Sequence, residues 1–281
     1  MIRLAVSGAT AEVSPEAGGA LASLALDGAD ALRRSTPADV TANILNAACY
    51  PCVPYFGRLA SEITIDGNAR ALTPTHPQIG VIHGEGWRSA WRVIDAAVDR
   101  VELALDYAPT RVGGWPFAFR ARQVFELSSS ELRVELSVEN DAGCNAPAGL
   151  ALHPFFPDAR SATVSFSAGD YWSPPMCAPY AGGETSTRPD AMGGGAPAPT
   201  PPGGRDNTYA NLSGDILIKR PTGRLKLSTD APHLHVYAPA HGEFFCLEPT
   251  THLPGTLLTD PACQLAPGAT RSVRLAIRAA N

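Results

Sequence analysis

The chain has 281 residues, a hydrophobic fraction of 44% and a charged fraction of 17%, values of an ordinary globular protein that argue against extensive disorder or coiled coil. A formal net charge of -5 with a pI near 5.8 gives no basic footprint for a phosphate backbone, which excludes nucleic acid as a partner. The N-terminus Met1 to Val6 runs straight into Ser7-Gly8 with no apolar run suited to export or spanning, so no membrane partner and a cytoplasmic location are expected.

In chain order, the dominant period is two. Ala17 to Leu32 has helical composition, but Gly18-Gly19 and Asp27-Gly28 interrupt it, and Ala22, Leu24 and Leu26 predict a short strand instead. Cys49 and Cys52 form a lone CxxC among six scattered cysteines; zinc needs further paired ligands and a redox site needs a βαβ context. Arg58 follows Tyr55-Phe56-Gly57, where a guanidinium can meet a ligand hydroxyl or carboxylate, although a surface arginine is the commoner case. Asp66-Gly67, Asp99-Arg100 and Ser128 to Ser130 punctuate alternating runs as hairpin turns. His83 comes after an apolar pair and before Gly84 and Gly86, which allow close backbone approach to a ligand. Val101, Leu103 and Leu105, then Leu132 to Val138, then Val273 to Ile277 each alternate with polar or small residues, as in antiparallel strands with one wet face. Many short strands and few helices predict an all-β, mainly antiparallel sandwich or barrel. With no composition shift to mark a boundary, residues 1–281 read as one domain carrying a long Pro/Gly-rich loop around 173–214.

Two apolar runs end alike. Leu150-Ala151-Leu152-His153 is followed by Pro154, and Phe244-Phe245-Cys246-Leu247-Glu248 by Pro249. Proline is expected to stop each strand, leaving His153 and Glu248 at strand ends. A carboxylate there is either paired or working, because desolvating it alone is too costly. An imidazole and a carboxylate so placed suit general acid and base catalysis. His233 and His235, with His241, Glu243 and His252 nearby, invite a metal reading, but the spacing matches no arrangement of cupin type, so no metal is expected. Asp206, after Gly203-Gly204-Arg205, reads equally well as a turn former or a ligand acid. Trp87, Trp91, Trp115, Trp172, Tyr171 and Phe156 are candidates for sugar-stacking surfaces or simply for core.

Taken together, Gly57-Arg58, Ile82-His83-Gly84, Gly114-Trp115-Pro116-Phe117, His153-Pro154-Phe155-Phe156 and Cys246-Leu247-Glu248-Pro249 resemble, in order and context, the aldose 1-epimerase (galactose mutarotase-like) family. The resemblance covers most of the chain and implies a large β-sandwich of the supersandwich type. It implies an isomerase with Glu248 as general base at the anomeric hydroxyl and His153 as the acid at the ring oxygen. Arg58, His83 and Asp206 would hold hydroxyls of a small-molecule sugar, with no cofactor. Gly57 stands where the family has asparagine, which alters one hydroxyl contact. A hexose-6-phosphate 1-epimerase and a non-catalytic carbohydrate-binding or sensor protein are the alternatives. The sequence leaves the oligomeric state open.

Overall fold

The computed structural model describes all residues except 66, 174–183, 187–191, 200–203, 241 and 281, and the backbone alone within 171–173 and 184–186. Among the described residues, two large antiparallel sheets of eleven and nine strands carry the architecture, with two small two-stranded sheets beside them. The all-β sandwich expected from the alternating runs is what forms. The run around Leu132 to Val138 lies within strand Glu131–Asn140, at the middle of the nine-stranded sheet between Phe119–Leu127 and Thr270–Ala280. Its even-numbered apolar side chains, Leu132, Val134, Leu136 and Val138, are buried in the core.

The eleven-stranded sheet positions the site. Five neighbouring strands matter, and in spatial order they are Cys49–Cys52, Ala151–Pro157, Phe244–Thr250, His233–Ala238 and Arg205–Ala210. They are called below the Tyr50, His153, Glu248, His235 and Asp206 strands. Alternation sends Leu152, Phe156, Phe245, Leu247, Leu234 and Val236 into the core that this sheet shares with the nine-stranded sheet. Burying each such side chain stabilises the fold by roughly 1.5–3 kcal/mol. The intervening residues face the other way, where a second cluster contains Tyr50, Phe56, Ile82, Trp87, Phe155 and Cys246.

Several expectations need correction. Neither proline ends its strand: Pro154 and Pro249 lie inside theirs. The His153 and Glu248 strands pair at Ala151 with Thr250 and again at Phe155 with Cys246, with no paired residues between. Both prolines fall in that interval, where the missing N–H breaks no ladder bond between these strands. The segment expected as a loop around 173–214 contains the whole Asp206 strand, so Asp206 sits in a sheet and not in a turn; residues 174–183, 187–191 and 200–203 of that segment lie outside the described residues. The CxxC thiols face opposite sides of their strand, Cys49 toward the main core and Cys52 toward the second cluster, and both are free. That geometry supports neither a chelate nor a redox pair. One short helix, Pro37–Ala42, was not anticipated; Thr36 and Asp39 close a capping box at its start and proline occupies its first turn. No helix among the described residues is long and apolar enough to cross a membrane.

Candidate active site

The row of side chains around Glu248 follows from strand register. Tyr50 is paired with His153, and on the far side His235 is paired with Glu248 and Thr208 with His235. Between its two paired positions the His153 strand advances four residues, as does the Glu248 strand, so His153 stands opposite Glu248. Cross-strand partners share a face. Tyr50, His153, Glu248, His235 and Thr208 therefore form one straight row across the sheet. Two residues along each strand a second row, Phe155, Cys246, Tyr237 and Asp206, lies beside it on the same face.

From these rows Tyr50, His153, Glu248, His235 and Asp206 floor a cavity of about 450 Å³ whose walls include Phe56, Arg58, His83, Phe155, Tyr237 and Phe244. All five residues expected from the sequence, Arg58, His83, His153, Asp206 and Glu248, line it. Of the aromatics left open between stacking surface and core, the four whose side chains are described belong to the core. Trp87, Trp91, Trp115 and Phe156 are buried in the packing clusters and do not line this cavity, while the side chains of Tyr171 and Trp172 lie outside the described residues. Tyr50, Phe56, Phe155, Tyr237 and Phe244 supply the aromatic walls instead.

Glu248 is 1% exposed, and its Oε2 lies 3.3 Å from His153 Nε2. Among the described residues, neither carboxylate oxygen has a hydrogen-bond donor meeting standard geometry. Burial pushes its pKa well above the carboxylate range, and the negative charge of Asp206 adds to the effect. Burial pushes His153 the opposite way, well below the usual imidazole value, with His83 and His235 adding repulsion to its cationic form. Both shifts disfavour the charged form, leaving a protonated carboxyl beside a neutral imidazole, so the pair holds one proton between its members.

Asp206 occupies a different setting. One oxygen lies 3.0 Å from His235 Nε2 and the other 3.7 Å from Arg58 Nη1. Burial alone would raise its pKa, but the hydrogen bond from His235 and the charges around it outweigh burial and hold the carboxyl below its ordinary value. His235 Nδ1 in turn lies 2.8 Å from Thr208 Oγ1, which leaves Nε2 to donate to Asp206 when the hydroxyl donates to Nδ1. His235 was read from the sequence only as part of a histidine pair for metal. His233 and His235 do share a strand face, but His235 is engaged with Asp206 and Thr208; His241 lies outside the described residues.

His83 is held by backbone. Its φ is +57°, an uncommon conformation for a residue with a Cβ, and Gly84 follows at +72°. A Cβ on Gly84 would come within 2.3 Å of the Val53 carbonyl oxygen, so only glycine fits this turn. The Gly57 N–H donates to His83 Nδ1 at 3.3 Å, and the His83 N–H donates to the Gly57 carbonyl at 2.9 Å. Burial, with repulsion from Arg58 and His235, takes the His83 pKa down to about 3. The ring is thus neutral, accepts at Nδ1 and offers Nε2–H to a ligand.

Arg33 was not singled out from the sequence. It reaches the cavity wall from far along the chain, with its guanidinium carbon 4.1 Å over the Phe155 ring and Nη2 donating to the carbonyls of Leu45 and Ala47. No local motif reveals it; only the fold brings it there. Arg88, by contrast, pairs with Glu85 at 2.9 Å and does not line the cavity.

Comparison with known proteins places the chain in a family. The family model described as Aldose 1-epimerase matches residues 1–278. The Escherichia coli protein YphB, itself uncharacterized, is 27% identical over 255 residues, covering 83% of this chain and 84% of that protein. The crystal structure of an Escherichia coli K12 protein described as a candidate aldose 1-epimerase superposes with a TM-score of 0.86 at 26% identity, covering 99% of this chain and 97% of the other. A GalM/aldose epimerase homologue from C. elegans gives 0.83 at 18% identity, covering 100% and 98%, a likeness that speaks for the fold alone.

Proposed function

The chain belongs to the aldose 1-epimerase family, and from that premise we propose that it is an isomerase interconverting the α and β anomers of a free aldohexose or related sugar. The observation that carries the proposal is the placement of His153 directly opposite Glu248, 3.3 Å apart on the floor of an aromatic-walled cavity.

In this reading Glu248 removes the proton of the anomeric hydroxyl while His153 protonates the ring oxygen. The ring opens, the exposed carbonyl carbon rotates, and reclosure from the other face exchanges the two roles. The reaction consumes no net proton, so a pair that holds one proton between its members has the right stoichiometry for either direction. Burial supports this, because it favours a protonated carboxyl on Glu248 beside a neutral imidazole on His153, one proton for the two groups. His83 Nε2–H is a neutral donor for a sugar oxygen, and Asp206 with Arg58 forms an acceptor and donor corner for adjacent hydroxyls. The aromatic walls suit the apolar faces of a pyranose. The proposed chemistry runs on side-chain proton transfer and calls for no cofactor. We take residues 1–278, matched as a whole by the family model, to be one functional domain.

A second reading, a hexose-6-phosphate 1-epimerase, draws on Arg33, a cation in the cavity wall with no carboxylate partner among the described residues. Polarimetry on a panel of free and phosphorylated aldoses tests both. Faster anomer exchange of a free hexose than in buffer supports the first; exchange confined to phosphorylated sugars supports the second. If the panel exchanges only at the uncatalysed rate, the chain is a sugar binder and neither reading stands.

A further inference from the structure

Beside His153 and Glu248 lies one buried group that the proposed proton transfer does not use. Cys246 precedes Glu248 by two residues on the same strand and faces the same side, and it is fully buried. Its Sγ, one ring nitrogen of His153 and a Glu248 oxygen lie within 4.8 Å of one another. One strand thus offers a thiol and a carboxylate, and its neighbour offers an imidazole opposite the carboxylate.

We propose that His153, Cys246 and Glu248 form a binding site for a thiophilic divalent cation such as zinc or cadmium, and that its occupancy inhibits the enzyme. Sulfur, nitrogen and oxygen donors together are the set that zinc takes, with three protein ligands and a fourth position left for water or a ligand. Bonds of roughly 2.0–2.3 Å to a tetrahedral ion put ligand atoms about 3.5 Å apart. The imidazole nitrogen and carboxylate oxygen are already at 3.3 Å. Only the thiol has to approach, by rotation about its single side-chain torsion. Both Glu248 oxygens lack a conventional donor, so a cation meets a carboxylate whose lone pairs are not committed elsewhere. The fourth position opens to the cavity that His153 and Glu248 line.

Binding exchanges protons for metal. The thiol proton of Cys246 and the proton shared by the acid–base pair leave to solvent as the S–metal, N–metal and O–metal bonds form, with no change of oxidation state. A cation so held occupies both groups on which anomer exchange depends, and it stands where the anomeric centre would bind. The site itself rests on the donor atoms alone; only the inhibition rests on the proposed function.

Cadmium titration of the whole chain, followed by the ultraviolet absorption of the cadmium–thiolate bond, reads binding without reference to activity. Wild-type protein is expected to bind one equivalent with that absorption, and Cys246→Ala and Cys246→Ser to lose it, each with a dissociation constant raised at least tenfold. In anomer-exchange assays, micromolar cadmium or zinc is expected to slow wild type at least tenfold, competitively with sugar and reversibly with chelator, and to slow Cys246→Ala less than twofold. Using both variants guards against one that fails to fold. Absent thiolate absorption in wild type, or equal inhibition of wild type and both variants, overturns the proposal. A protein that exchanges no sugar but shows the Cys246-dependent absorption keeps the site and loses the epimerase reading.

Discussion

Glu248 and Asp206 are two carboxylates in one cavity, on strands separated only by the His235 strand, and the sheet treats them oppositely. Asp206 is held by His235 and Arg58 and stays below the usual carboxylate range. Glu248 has His153 alone at 3.3 Å and is driven well above it by burial. A carboxylate supplied with donors is a fixed anion, suited to hold hydroxyls. A carboxylate deprived of them is a proton acceptor of raised affinity, suited to take a proton and return it. In the proposed function the same residue class serves binding at one corner and chemistry at the other, and neighbours set the difference.

Four outcomes would sharpen or break this contrast. His153→Ala should carry a large kinetic effect, a loss of about 10²–10³-fold in kcat with sugar affinity nearly unchanged, because the acid acts in the transition state; equal losses in kcat and affinity, from steady-state kinetics and titration, would make His153 a binding residue. Asp206→Asn should behave in the reverse way, raising KM about tenfold and changing kcat less. It should also lower stability by about 1–3 kcal/mol near neutral pH, by leaving buried donors without their anion. Since the Asp206 pKa is depressed on folding, its stabilisation is present above the unfolded pKa and fades as pH falls through the folded one. The Asp206→Asn deficit should therefore shrink in strong acid.

Glu248→Gln should go the other way in stability. A carboxyl whose pKa is raised on folding stabilises least at high pH, its contribution being lost as pH rises from the unfolded value through the folded one. Replacing it with an uncharged isostere should leave the unfolding temperature near wild type at pH 4 and several degrees above it at pH 8. A Gln variant less stable than wild type at pH 8 would contradict the burial argument. The smallest effect concerns the neutral imidazoles. His83 and His252 are both lowered by burial to about 3, so the unfolded chain takes up protons first as pH falls below about 6.5. Each should cost about 1.4 kcal/mol per pH unit between there and about pH 3. Urea midpoints of the Glu248→Gln protein, which lacks the opposing contribution of Glu248, should fall steadily from pH 6.5 to 4.5; flat midpoints would count against it.

The contrast also shows what a linear sequence holds. The alternation Leu132, Val134, Leu136, Val138 is a local consequence of one wet face and one dry face, so the antiparallel sandwich was legible. The twin patterns His153-Pro154 and Glu248-Pro249 singled out both members of the proposed acid–base pair, which the sheet sets opposite each other. Their reason was misread: the prolines do not stop the strands but occupy an unpaired interval between them. The residues that were missed depend on register between distant strands. Nothing near His235 says that Asp206 and Thr208 will meet its two ring nitrogens, and nothing near Arg33 points to Phe155. Trp87 and Trp91 were drawn toward a ligand by their chemistry, yet their indole N–H groups donate to the carbonyls of Gly84 and Gly86, so they build the turn behind His83 and not the cavity wall. Cys246 shows the same limit. It is two residues from Glu248, but its relation to His153 exists only across the sheet.

The central claim is that Glu248 acts as the base of anomer exchange while Asp206 only holds the sugar. Saturation-transfer NMR on a hexose at saturating concentration measures exchange between its two anomers directly, with wild-type, Glu248→Gln and Asp206→Asn proteins compared under the same conditions. Exchange is predicted in wild type and, at saturation, within about tenfold of wild type in Asp206→Asn, with loss of at least about 10³-fold in Glu248→Gln although that protein still binds the sugar. Undiminished exchange by Glu248→Gln would contradict the account.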